Sequence, residues 1–146
     1  MEPRIQYAKA HGGSEVKTMG DGFMASFGSA TKALECAEAI QRALTRDPSP
    51  AGAGEGQHAI TFKVRIGLNA GEPIAEDDPG GRSDLFGAAV IVAARIAAQA
   101  HGGEILVSDV VRQLVAGKGF HFADRGEQAL KGFEEPVRLF EVKWSN

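Results

Sequence analysis

Between Gly87 and Ala100 the chain offers a helix without a polar face. Ala88, Ala89, Val90, Ile91, Val92, Ala93, Ala94, Ile96, Ala97 and Ala98 occupy every azimuth, and Arg95 is the only charged group among them. A helix that is apolar all round is expected to be buried all round, so the fold has to cover this segment from several directions. A guanidinium carried into such surroundings must either pair with an acidic neighbour or face an interface or a ligand, because a stranded buried charge costs several kcal/mol. Gly87, Ile91, Arg95 and Gln99 form an i, i+4 stripe, and the small side chains beside it would let a second subunit approach closely.

A second constraint lies near the beginning. Val16 to Phe27 reads as a β-hairpin, with two β-compatible runs flanking Gly20-Asp21-Gly22. An Asp-Gly pair between such runs is a strong turn signal because both residues tolerate positive φ. Asp21 is then held exposed at the tip, with Lys17 four residues earlier on the incoming strand. The pair reads either as an ordinary turn with a solvated lysine or as a device for holding a metal–phosphate complex, since hard cations take carboxylate and phosphate oxygens together.

The remaining segments alternate. Arg4 to Ala10 has helical spacing and stops at His11-Gly12-Gly13, a glycine-terminated end. Ser29 is the expected N-cap of an amphipathic helix over Ala30 to Leu44, on whose less apolar side Cys36 sits as inert packing. Asp47 to Gln57, rich in Pro, Gly and Ala, reads as a surface loop. Ile60 to Ala70 alternates apolar and polar residues and is the clearest strand. The acidic run in the loop Gly71 to Arg82 reads as a solvated face. Beyond Gly102 the pattern predicts a strand over Glu104 to Val107, a helix from Ser108 through Val115 capped by Ser108 or Asp109, and strands near Phe120 to Phe122 and Val137 to Val142. The order helix, β, β, α, β, α, β, α, β, β predicts a mixed α/β (α+β) fold close to a ferredoxin-like βαββαβ arrangement, with its opening strand missing.

Bulk properties narrow the function classes. With 146 residues, 43% hydrophobic and 24% charged, the chain suits one domain, 1–146. No apolar run reaches the roughly 18 residues of a membrane span. A net charge of −3 argues against a nucleic-acid surface. His11, His58, His101 and His121 are too scattered for a structural zinc site. A single cysteine and the lack of a secretory signal lead to a cytoplasmic expectation.

Three segments, read together, resemble the class III nucleotidyl cyclase catalytic domain: Val16 to Gly22, Val64 to Gly71, and Asp84 to Arg95; Leu130 to Val142 is similar to that family's closing strands. The resemblance runs the length of the chain in order. It implies an adenylate or guanylate cyclase, a lyase of cyclic-nucleotide signalling, with two divalent metal ions (Mg²⁺ or Mn²⁺) and a site shared between two subunits of a homodimer or of a heterodimer with another cyclase domain. By position, Asp21 corresponds to the second metal-binding aspartate, Lys17 and Asp84 to the pair that reads the purine, Arg65 and Lys131 to residues that hold the triphosphate, and Arg95 to the arginine that stabilises transition-state charge. Lys with Asp at the purine positions is the pattern associated with adenine, so ATP is implied over GTP. From the residues alone, Asp84 also suits a helix cap and Lys131 a turn lysine.

The sequence departs from the family pattern twice. The family's first metal aspartate sits on an opening strand that has no counterpart here, Glu2 being the only acidic residue before Glu15, and Ile91 stands where the resemblance implies an asparagine that orients the ribose. The chain as given is therefore expected to turn over weakly or not at all. The alternatives are a degenerate cyclase-like domain that binds nucleotide or serves dimerisation and regulation, and a ferredoxin-like interaction module.

Overall fold

A computed structural model of the chain describes residues 3–19, 22–46, 63–71 and 88–145. The expected order of elements is found: α1 (Pro3–Ala10), β1 (Ser14–Met19), β2 (Gly22–Ser26), α2 (Ala30–Arg46), β3 (Ile66–Leu68), α3 (Ala88–Gln99), β4 (Ile105–Ser108), α4 (Asp109–Leu114), β5 (Phe122–Gln128) and β6 (Val137–Val142). Strands β1 and β2 pair as a separate hairpin, while the other four form a sheet in the order β3-β4-β6-β5. In that sheet β3 and β4 are parallel, joined through α3, and the remaining pairs are antiparallel.

Strand β4 is the centre of the core because its Ile-Leu-Val-Ser run is buried on both faces. Ile105 and Val107 pack with Leu34 and Ala37 of α2 and Val111 of α4, whereas Leu106 turns to the opposite face and meets Ile96 of α3, Leu130 and Leu139. The sheet is therefore covered by α2 and α4 on one side and by α3 on the other. A third cluster, Ala8, Cys36 and Ile40 with Phe23, Ala25 and Ile66, fastens the hairpin and α1 to α2 at the β3 edge. Cys36 belongs to this cluster at 3% exposure rather than to a polar side of α2, and burial pushes its thiol up to about 11, so it stays neutral near pH 7.

Local chemistry explains the ends of the elements. Helix α1 stops at Gly12, with φ of 83°, where the N–H of Gly13 donates to the Ala8 carbonyl at 2.7 Å and that of Gly12 to Lys9 at 3.1 Å, satisfying carbonyls the helix leaves open. Ser29 caps α2 by accepting from the Lys32 N–H at 3.2 Å. Ser108 occupies the N-cap of α4 but makes no side-chain cap bond.

Several expectations are corrected. In the hairpin, Met19 pairs with Gly22 after a bulge between Glu15 and Lys17, so Gly22 belongs to the ladder and not to the turn. Of the strand expected over Ile60 to Ala70, residues 60–62 lie outside the described residues, and among the described ones the pairing is at Ile66–Leu68; on its polar-looking face Lys63 and Arg65 are exposed, but Gly67 is covered, since a Cβ there would lie 2.8 Å from the Ala93 carbonyl oxygen of α3. The strand expected near Phe120 to Phe122 runs over Phe122–Gln128 instead. Its charges disguised it, yet they are paired across the sheet: Arg125 donates to Glu104 at 2.9 Å and to Glu141 at 3.1 Å, and Arg138 to Asp124 at 2.5 Å. A bulge between Asp124 and Glu127 places Gly126 at φ of 77°, which L side chains rarely adopt. The loop over Asp47 to Gln57 and the acidic run after Gly71 lie outside the described residues.

These pairs make stability pH-dependent. The Arg138 guanidinium and the Gly126 N–H hold Asp124 below the usual carboxylate range, and Arg112 and Gln113 do the same for Asp109. Folded values below the unfolded ones give stability that is complete above about pH 4 and is lost as the pH falls through the folded values. The urea midpoint is expected to drop as the pH falls below about 4, and Arg138→Ala to flatten part of that drop. An equal slope in the variant would contradict the assignment to the Asp124 pair.

Candidate active site

The structure treats the expected site residues unequally. Asp21 and Asp84 lie outside the described residues, and Lys17 is seen through its backbone, opposite Met24 in the hairpin. Arg65, Arg95 and Lys131 are described.

Arg95 is the most informative. Its helix is not buried all round, contrary to the expectation from composition: Ile96 is its buried residue, while Ala88, Ala94, Ala98 and Gln99 are exposed and Ile91 is 46% exposed. At 100° per residue these positions flank Arg95 on one face. Among the described residues its inward side chains meet a single sheet, which covers half of the apolar cylinder. Arg95 is itself half-buried, and its Nε is shielded from solvent without a hydrogen-bond partner among the described residues. Buried donors are nearly always paired, so an open Nε at this position is unusual.

The other two cations stand on elements that meet α3. Lys131 is exposed in the turn between β5 and β6, where the Phe133 N–H donates to Leu130 at 3.0 Å and Gly132 takes φ of 88°. Leu130, next to it, is buried against Ile96, which follows Arg95. Arg65 is exposed immediately before β3, the strand on which α3 lies. The hairpin bearing Lys17 packs instead with α1 and α2 through Phe23 and Ala25.

Asn69, passed over in the sequence because it lies in a strand-like run, ties these elements together. Its Nδ2 donates to the Ala89 carbonyl in the first turn of α3 at 3.0 Å, and its Oδ1 accepts from the Ser108 hydroxyl at 2.6 Å. A buried-facing amide at the end of a strand was the only available signal, and it is not specific.

Among the described residues no group of three or more His, Cys, Asp or Glu gathers to hold a metal ion. Nor does any helix among them have the length and apolarity to cross a membrane.

This fold agrees with what known proteins show. The pattern of the adenylate and guanylate cyclase catalytic domain matches residues 5–143. The chain belongs to that family. It is 38% identical over 136 residues to a Rhizobium meliloti protein named "Putative adenylate cyclase 3", covering 92% of this chain and 21% of that protein, and 33% identical to the adenylate cyclase of Podospora anserina, covering 90% of this chain and 8% of the relative. It thus spans about a fifth or less of those relatives. Among solved structures, the adenylate/guanylate cyclase/hydrolase from Silicibacter pomeroyi superposes with a TM-score of 0.76 at 36% identity, covering 96% of this chain and 76% of that one.

Proposed function

We propose that this domain converts ATP to cyclic AMP and pyrophosphate, slowly, in a cleft completed by a second cyclase domain. The ribose 3′ oxygen attacks the α-phosphorus, the bond to the β-phosphate bridging oxygen breaks in line with it, pyrophosphate leaves and the 3′ proton passes to solvent. Arg95 donates to the charge that develops on the α-phosphate, Arg65 and Lys131 hold the triphosphate, and Lys17 and Asp84 read the adenine edge. Asp21 is assigned to a divalent cation, Mg²⁺ or Mn²⁺, which a carboxylate binds together with phosphate oxygens.

The carrying observation is the buried Nε of Arg95, without a hydrogen-bond partner among the described residues, on the outer face of α3 beside Ala88, Ile91, Ala94 and Ala98. A donor left open there suits an anion supplied from outside the described residues. The hairpin packs on α1 and α2 at the β3 edge, whereas α3 packs on the face of the sheet opposite α2, which favours a site in which Lys17 and Asp21 of one copy work with Arg95 of another.

The test is to incubate the full chain with ATP or GTP and either cation and to quantify cyclic nucleotide. Cyclic AMP formed in preference to cyclic GMP supports the reading, and the absence of both product and nucleotide binding ends it. A second reading, a nucleotide-binding or regulatory domain without turnover, is favoured by Ile91, whose exposed side chain on α3 has no hydrogen-bonding atom to orient a ribose. Binding of ATP without product would select it.

Base selection gives a sharper expectation. Asp84 offers only acceptors, which suits the exocyclic amino group of adenine; Asp84→Asn adds a donor that suits the guanine oxygen. The ratio of ATP to GTP turnover is expected to fall about tenfold or more, the scale of one buried hydrogen bond gained or lost. An unchanged ratio would remove Asp84 from the purine contact.

A further inference from the structure

We infer that Asn69 is a positioning residue that sets how far along its axis α3, and with it Arg95, sits on the sheet. The inference rests on the proposed function for what Arg95 does, but its geometry is independent of it. Asn69 stands just past β3 and uses both ends of its amide, donating to Ala89 in α3 and accepting from Ser108 at the end of β4. Ser108 is only 4% exposed, and its hydroxyl is spent on Asn69 rather than on capping α4. The two parallel strands and the helix that connects them are thus joined at one point by directional bonds. Two neighbouring contacts with α3 are of a different kind: Gly67 lies against the backbone of Ala93 and Ala97, and Gly71, beyond β3, against the Ala89 methyl. Such packing contacts set distance but are not directional, whereas a hydrogen bond is lost within an ångström of displacement. Ala89 is six residues from Arg95, about 9 Å along a rigid helix, so a shift at the anchor is carried undiminished to the guanidinium. An asparagine is required because one end must accept from a hydroxyl while the other donates to a carbonyl.

Asn69→Asp keeps the shape and the bond from Ser108 but sets an acceptor against the Ala89 carbonyl. In the full chain, amide hydrogen exchange in the first half of α3 is expected to quicken about fivefold relative to α2, the factor that corresponds to one ordinary hydrogen bond. Turnover should fall roughly 10- to 100-fold through kcat, with KM for ATP changed far less, as for a misplaced catalytic group. Ser108→Ala, a milder loss, should move both in the same direction, and Ser108→Thr, which keeps the hydroxyl, should restore both. Unchanged α3 exchange in the Asn69 and Ser108→Ala variants overturns the inference, and so does faster exchange with kcat unaltered. If the unaltered chain forms no cyclic nucleotide, the proposed function fails, and the exchange comparison alone then decides the anchor: quickening confined to α3 upholds it.

Discussion

Arg95→Ala is expected to lower kcat about 10²- to 10³-fold, the usual result of removing one donor aimed at transition-state charge, while leaving ATP binding nearly intact. The motivating observation is that Arg95 has no hydrogen-bond partner at Nε among the described residues. Because that N–H has no hydrogen-bond partner to lose among the described residues, the removal should leave the thermal midpoint close to that of the unaltered chain. A large fall in the midpoint with little change in kcat would give Arg95 a structural role and withdraw the main support for the proposed chemistry. Single-turnover measurement of cyclic AMP, alongside a nucleotide-binding titration, separates these outcomes.

Gly67→Ala is expected to destabilise the fold by about 3 kcal/mol or more, the upper range for overpacking a tight interior. The added Cβ would meet the backbone nitrogen of Ala97 and lie 2.8 Å from both the Ala93 oxygen and the Ala97 Cα. These are backbone atoms of a helix, so no side-chain rotation relieves the clash and α3 must lift from β3. The effect should appear as a lower urea midpoint and as loss of any activity that depends on Arg95. Gly12→Ala offers a comparison, since the space around that Cβ is open and only its φ of 83° opposes it, which puts its cost nearer 1 kcal/mol, about the scale of left-handed backbone strain. Equal losses in the two variants would argue against close strand–helix contact as the cause.

The legibility of the chain differed from one element to another. Ser29 and the apolar spacing after it located α2 because capping and helical periodicity are local, and the buried Ile-Leu-Val run located β4 for the same reason. Strand β5 was misplaced because Asp124, Arg125 and Glu127 mimic a solvated loop; the partners of Asp124 and Arg125, namely Arg138, Glu104 and Glu141, lie well away in sequence. The site followed the same division. Lys17, Asp21, Arg65, Asp84, Arg95 and Lys131 stood out through their resemblance to a family, while Asn69 had no local mark and acquires its meaning from Ser108 and Ala89.

The order of helices and strands, their caps and the family itself could be read from residue pattern, since turn chemistry and hydrophobic period act over a few residues. Three-dimensional packing was needed to show that the apolar helix bearing Arg95 keeps an exposed side, that Gly67 is flush with its backbone, and that Asn69 donates a hydrogen bond to its first turn. Those features depend on which distant segments a residue meets, and neither the period nor the composition of a helix specifies its neighbours.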